Sequence, residues 1–535
     1  MLRTIGDILN RVAFAPQEQK VADYLRTVTP DSVLKDLQTA IAPNIKRITD
    51  PKATFEAASI EGKDDTDRQH YWTKDSLNRH IETAHPNVSL PNNAIDLLWR
   101  SFYFYAHHPF PRYVTDSSRI DADGFQRAVA LLAHDATDLL GTQEDGGYYW
   151  RFDERFFRKA SFSRILRSIG HLKETGQEDA VVDDVMDVLA ITQPQAMKLM
   201  PSPDRLRPVA RETLEAGVVP MGCRVSRSDL VTLLVLVLRM ELQREKWGYG
   251  DHFGTIRDVN LGDEQLAEVL VNGVVGDKDD LGPNDLLRVQ DLLPNLGLRF
   301  HQLWKVIFQP RTDIVVQEIP SSTLPSRILS AISLFILHPL QSAHCRPASQ
   351  DTRIALQKSE QLIDMTVSSL IKALQQNHRP KLIIATANGK SDNPDTVVGA
   401  FIPGLLYNGD DGQPCTGTSH FLFQLKPEFR LLRWINPHTP LVDLFNGKTD
   451  EDSLSIKAME AGICGMDAYR IGDPWGSAEL RIDPATKSVT LSRIAGVDKT
   501  SNMGYEDVCV GSKAPWQVVI QPSKVDVYNG LFKSV

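Results

Sequence analysis

Ser477-Ala478-Glu479-Leu480-Arg481-Ile482-Asp483 alternates apolar with polar residues, turns through Pro484-Ala485-Thr486-Lys487, and returns as Ser488-Val489-Thr490-Leu491-Ser492. Successive side chains of a strand point to opposite faces, so Ala478, Leu480 and Ile482 share one face and Glu479, Arg481 and Asp483 the other. That is the pattern of a half-buried antiparallel hairpin. The same period of two extends on either side of it. Lys381-Leu382-Ile383-Ile384-Ala385 and Thr396-Val397-Val398-Gly399-Ala400-Phe401 are short apolar runs separated by the turn-rich Asn388-Gly389-Lys390-Ser391-Asp392-Asn393-Pro394. Ser419-His420-Phe421-Leu422-Phe423-Gln424-Leu425 alternates and stops at Lys426-Pro427, and residues 516–521 and 524–528 supply two closing strands. From about Lys381 onward the chain reads as β.

Upstream of that point the period is 3.6. Val21, Tyr24 and Leu25, then Val33, Leu34 and Leu37, recur at helical spacing. Helices open near Trp72-Thr73-Lys74, near Pro91-Asn92-Asn93 and at Asp123-Gly124-Phe125, and residues 151–172 and 178–189 continue the pattern. Ser226 or Ser228 is placed to cap a helix over 230–245 whose apolar residues run nearly all round, and 284–293 and 326–337 read as further helices. Pro194, Pro201, Pro203, Pro208 and Pro220 remove amide donors and restrict their neighbours, which predicts a break between folded segments. The expected class is α+β: a mainly α-helical N-terminal half followed by an antiparallel β-sandwich flanked by helices. The expected divisions are a helical region over 1–192, a Pro-rich linker over 193–225, a helical segment over 226–285 and the sandwich over 286–535, with helices inserted around 311–380.

Composition sets the class of protein. The 535 residues are 42% hydrophobic and 24% charged, the usage of folded globular chains, and the length calls for more than one folding unit. With 59 basic against 68 acidic residues the net charge is −9, which disfavours non-specific binding to a phosphate backbone. Cys223, Cys345, Cys415, Cys464 and Cys509 are scattered without C-x-x-C pairs, which points to a reducing compartment and away from a disulfide framework. Met1-Leu2-Arg3-Thr4-Ile5-Gly6-Asp7 carries an acidic residue where a secretory leader runs apolar, and it lacks the Gly at position 2 needed for myristoylation. The longest aliphatic run, residues 230–238, is too short to cross a bilayer. The expected location is cytoplasmic, with any membrane contact made through a partner.

Residues with recognisable chemistry are few. Asp121-Ala122-Asp123-Gly124 and Asp277-Lys278-Asp279-Asp280-Leu281-Gly282 resemble calcium loops, but aligning either glycine to loop position 6 leaves Ala130 or Arg288 at position 12 instead of a glutamate. A turn and a helix cap are the expected roles. His107-His108, and His338 with His344-Cys345, lack the further ligands of a tetrahedral site. Residues 151–167 interleave Arg151, Arg155, Arg158, Lys159, Arg164 and Arg167 with Phe152, Phe156, Phe157 and Phe162, after Trp150. On a helix this spacing predicts aromatics facing a core and arginines reaching outward, ahead of a single-stranded nucleic-acid surface. No G-x-S-x-G, H-E-x-x-H or phosphate-loop motif occurs, so no catalytic, cofactor-binding or metal residue is assigned.

The order of the β segments resembles the TLDc domain. The stretches that carry the resemblance are Val398-Gly399-Ala400-Phe401, residues 419–425, Asp452-Ser453-Leu454-Ser455-Ile456, the hairpin over 477–493 and Val525-Asp526-Val527-Tyr528. Together with a helical region ahead of them they are similar to the fungal proteins linked to restriction of telomere capping and to their animal relatives. Two departures stand out. The segment Lys457-Ala458-Met459-Glu460-Ala461-Gly462-Ile463-Cys464-Gly465 is poorer in glycine than the family pattern, and the best match to the family's early strand, residues 298–308, is separated from Lys381 by a long helical stretch. The resemblance implies a non-catalytic interaction protein without cofactor, tied to the oxidative-stress response and to peripheral subunits of the vacuolar proton-pumping ATPase, and held at the vacuolar membrane through that partner. The alternative is an enzyme with a cleft between the two halves that uses Cys415 or His420.

Overall fold

The computed structural model describes residues 19–20, 23, 25–45, 50–62, 70–86, 88–134, 136–142, 154–173, 178–197, 202–215, 222–247, 251–258, 260–309, 326–336, 353–361, 381–390, 393–402, 421–434, 469–472, 478–493, 505–511 and 514–533. The chain divides into two units. Met1–Val259, Asp279–Leu287 and Gly297–Ile314 form the first, and Asn260–Lys278, Arg288–Leu296 and Val315–Val535 the second. Helices dominate the first and antiparallel sheets the second, so the chain is α+β.

Polar caps mark several helix starts in the first unit. α1 (Pro30–Ile45) is followed by α2 (Pro51–Ala58), which opens on a proline whose missing N–H has no helical partner to lose, behind the cap Asp50. Thr73 caps α3 (Lys74–Ala84), and α4 (Asn92–Ala106) is buried over most of its circumference. At the start of α5 (Ala122–Ala133) the Asp121 carboxylate accepts a hydrogen bond from Gly124 N at 2.8 Å. The segment once comparable to a calcium loop is thus a cap and a first turn. α6 (Glu154–Ile169) runs almost directly into β1 (His171–Lys173), and α7 (Glu178–Thr192) follows.

Three stretches differ from expectation, each for a physical reason. Within 193–225, read as a linker, Pro203 opens α8 (Pro203–Glu215), a position where proline's fixed φ suits the helix and its missing donor does no harm. After β2 (Gly222–Ser226), Ser226 caps α9 (Arg227–Arg239) in a reciprocal box with Asp229. The helix expected to reach residue 245 stops at Arg239, and β3 (Met240–Trp247) pairs with β4 (Asp251–Ile256). Met240-Glu241-Leu242-Gln243-Arg244-Glu245 is rich in helix formers, yet Arg257 N donates to Arg239 O at 3.0 Å and Arg239 Nε donates to Arg257 O at 2.6 Å. Those bonds hold the chain in a ladder against its intrinsic preference. α10 (Leu261–Val275), β5 (Asp280–Leu281) and α11 (Pro283–Leu292) lead to α12 (Leu296–Ile307), which occupies the place of the expected early strand. Its buried Phe300, Leu303, Trp304 and Ile307 recur at three and four, the helical period. β1, β2 and β5 form a small antiparallel sheet.

Aromatic rings fill the centre of the first unit. Trp72 is fully buried, lies 4.4 Å from Phe125 between ring centroids, and donates its indole N–H to Phe55 O at 2.8 Å. Phe102 stacks on Trp304 at 5.6 Å and on Phe308 at 5.5 Å. Offset and edge contacts of this kind add to the burial of large apolar area.

The second unit also contains α13 (Ser326–Phe335), β6 (Arg353–Gln361), β7 (Lys381–Lys390), β8 (Asn393–Ile402), β9 (Phe421–Lys426), β10 (Arg430–Trp434) and β11 (Tyr469–Gly472). The hairpin appears as β12 (Ala478–Asp483) and β13 (Ser488–Arg493), and β14 (Tyr505–Asp507), β15 (Trp516–Ile520) and β16 (Lys524–Lys533) close the chain. Two antiparallel sheets result, one of seven strands in the order β14-β10-β9-β8-β7-β16-β6 and one of four in the order β11-β12-β13-β15. Ile383, Ala385, Val398, Ala400 and Leu422 from the first join Leu480, Ile482, Val489 and Leu491 from the second in one buried cluster, so the sheets stack face to face. The opposite face of the larger sheet meets α13, where Phe335 lies 5.8 Å from Phe421 and 5.3 Å from Phe423. Gly399 sits across from Phe423, and a Cβ there would come within 2.6 Å of the ring and 2.3 Å of Ile383 O. Within 311–380 the described residues hold the expected helix α13 and also a strand, β6, paired with β16. The segment 452–456 lies outside the described residues.

Leu480 is fully buried between the sheets, whereas Val519 on β15 is 59% exposed. Urea unfolding should show Leu480→Ala losing about 2–5 kcal/mol. Val519→Ala should stay within about 0.5 kcal/mol of the parent. Equal effects at the two positions would contradict the stacking.

Candidate functional site

Two helices of the first unit carry charge inward. α6 places Arg164 and Arg167 one turn apart, α7 does the same with Asp184 and Asp187, and all four side chains are buried. Arg164 Nη1 donates to Asp187 at 2.6 Å and approaches Asp184 at 3.4 Å, while Arg167 Nη2 donates to Asp184 at 2.6 Å. Removing charges from water costs several kcal/mol each, so such ions persist only when matched. The expectation that these arginines reach outward is therefore corrected: their partners on α7 hold them inside. Of the same stripe, Lys159 is exposed and Phe162 buried. The side chains of Trp150, Arg151, Phe152, Arg155, Phe156, Phe157 and Arg158 lie outside the described residues.

The ion set alters its neighbours. Burial alone would raise the Asp184 carboxyl, but the Arg167 and Arg164 guanidinium groups outweigh it and hold the group below the usual carboxylate range. Burial pushes His108 down to about 3, with Asp184 opposing and Arg164 and Arg167 adding to the depression. Its imidazole is therefore neutral, and neither ring nitrogen has a hydrogen-bond partner among the described residues. Burial also raises the Tyr105 hydroxyl and lowers His107 to about 3.

Beside this network lies an open pocket of about 100 Å³ lined by Arg100, Phe104, Arg112, Arg167, Ser168 and His171, among others. The elements converge there because β1 starts immediately after α6. A Cβ on Gly170 would lie 2.5 Å from Cys223 Sγ and 2.6 Å from Arg224 O, so glycine permits the close approach of β1 and β2. Arg100 Nε donates to Ile169 O at 2.9 Å and the same guanidinium pairs with Asp229, the residue that completes the capping box of Ser226 at the start of α9. Arg167 spends one nitrogen on Asp184, and its Nε and Nη1 have no partner among the described residues. Arg112 is exposed. Burial, with Arg100 adding, lowers the His171 imidazole.

The residues singled out in sequence fall elsewhere. His107 and His108 pack among aromatic rings, with His107 4.5 Å from Tyr103 between centroids. Asp280 pairs with Arg224, and Gly282 N donates to Asp285 at 3.1 Å, so the second acidic loop serves a strand and a helix start. No group of three His, Cys, Asp or Glu able to hold a metal occurs among the described residues. Burial pushes the Cys223 and Cys509 thiols up to about 12, which leaves both protonated and poorly nucleophilic. Cys345, Cys415, Cys464, His338, His344 and His420 lie outside the described residues. The pocket arginines escaped sequence reading because Arg100, Arg112 and Arg167 come from separate segments. The matched pairs Arg164/Arg167 and Asp184/Asp187, each spaced by three, were the available signal.

Asp187→Ala should destabilise the chain by about 3–5 kcal/mol, because it strips Arg164 of its nearest carboxylate, and Arg164→Met with Asp187→Leu should lose far less. Denaturant midpoints of the single and double variants check this. Neutral His108 sets a pH dependence. The unfolded imidazole takes up a proton below about 6.5 while the folded one waits until about 3. Stability is thus complete above pH 6.5 and should fall below it, by up to about 1.4 kcal/mol per pH unit for this group. His108→Leu should lessen the slope between pH 6.5 and 4.5 when urea unfolding is followed across that range, with His107, lowered to about 3 in the same way, keeping its own share.

Comparison with family models, with curated proteins and with solved structures finds no match to this chain.

Proposed function

We propose that this chain is a non-catalytic intracellular interaction protein of the TLDc type, a regulator that associates with peripheral subunits of the vacuolar proton-pumping ATPase and acts in the oxidative-stress response. The reading is supported by how its sequence stretches are used. Val398-Gly399-Ala400-Phe401 lies in β8, residues 421–425 in β9, the hairpin in β12 and β13, and Val525-Asp526-Val527-Tyr528 in β16. These strands supply one pair of stacked sheets, and Phe421, Phe423, Leu480 and Ile482 are all buried. The positions that carry the resemblance thus have building roles, which is what an interaction domain of this kind requires. No helix among the described residues is long and apolar enough to cross a membrane. In this reading, which rests on the resemblance, a cytoplasmic chain is held at the vacuolar membrane through its partner.

Affinity purification of the full chain from cell extract should recover the peripheral ATPase subunits, and gel filtration of the purified chain with the purified peripheral sector should show co-migration. Failure of both, with a chain shown by its unfolding transition to be intact, overturns the reading.

A further inference from the structure

We propose that the arginine-lined pocket of the first unit binds a phosphate group, either free or as the monoester head of a larger molecule. The inference is independent of the partner reading. Three guanidinium groups, those of Arg100, Arg112 and Arg167, line the pocket together with His171, and none of its lining side chains is acidic. The carboxylates nearby are already engaged. Asp229 pairs with Arg100, and Asp184 is shared between Arg167 and Arg164, which Asp187 also holds. Four guanidinium groups therefore stand against three carboxylates, and the surplus charge is that of Arg112 at the exposed side.

Arg167 supplies the second observation. It is 4% exposed, it lines the pocket, and two of its three nitrogens lack a hydrogen-bond partner among the described residues. A buried donor left unmatched is unfavourable, and an oxyanion seated beside Arg167 would accept from it. Asp184, which does not line the pocket, accepts from the guanidinium at 2.6 Å, so the cation is held in place before any ligand arrives. Size selects the ligand class. At about 100 Å³ the pocket is smaller than the roughly 300–1,000 Å³ sites that enclose whole cofactors. One oxyanionic group fits, and the remainder of a larger ligand would extend outward past Tyr113 and Val114, each 38% exposed. Arginine suits this role because its donors are fixed in a plane and match phosphate oxygens.

The test is isothermal titration of the full chain with inorganic phosphate and, separately, with phenyl phosphate, against chloride at equal ionic strength. Binding of either phosphate probe, weakened at least about tenfold in Arg112→Ala (about 1.4 kcal/mol) with an unchanged unfolding midpoint, is the expected result. Because Arg112 is exposed, its loss does not threaten the fold; Arg167→Gln, checked for an intact unfolding transition, should abolish binding. Binding of phenyl phosphate alone assigns the site to an esterified phosphate, and binding of both assigns it to the group itself. No heat with either probe, or undiminished binding in Arg112→Ala, overturns the proposal.

Discussion

The sheet system rests on one constraint: the middle strands of the seven-stranded sheet are covered on both faces. β9 is buried at every position from Phe421 to Lys426, with Leu422 turned to the smaller sheet and Phe421 and Phe423 to α13. β8 divides its residues in the same way, Val398 and Ala400 to one side and Phe401 to the other. A strand in that position cannot alternate apolar with polar, and each large side chain it buries contributes about 1.5–3 kcal/mol. In the four-stranded sheet β12 turns only one face to the cluster and accordingly keeps the alternation, with Ala478, Leu480 and Ile482 buried.

The first unit solves a different problem. Besides its aromatic centre it buries Arg164, Arg167, Asp184 and Asp187 as one ion-paired set. Buried ion sets of this kind are a weak source of net stability, but removing a single partner leaves an uncompensated buried charge, so the set must be kept whole. The same set ties the inner wall of the arginine pocket to the packing of two helices. Any ligand chemistry there is therefore coupled to a rigid base, with Arg112 as the accessible element.

Legibility in the sequence followed how local the cause was. The hairpin could be read because period-two patterning is carried within a few residues, β7 and β8 because they are short apolar runs bounded by turn residues, and Asp121 and Ser226 announced their helices through side-chain caps; β9, expected to alternate, is instead buried on both faces. β3 could not be read, since its residues favour a helix and only pairing with β4 makes it a strand. Pro203 misled because the same residue type that ends a helix also begins one. The early strand expected over 298–308 was overruled by its own spacing, which buries Phe300 and Trp304 on a helix. The pocket was invisible, because proximity of Arg100, Arg112 and Arg167 is a property of the fold and leaves no spacing signature.

Gly399 has one more effect. A two-residue slip of β8 along β9 would keep every side chain on its own face, so the division into apolar layers does not forbid it. It would, however, bring Val397 or Phe401 opposite Phe423, whose ring already fills the space beside a residue without a side chain. The missing Cβ thus acts as a notch and the phenyl ring as its key, and together they choose one alignment among those that hydrophobicity alone would leave equivalent.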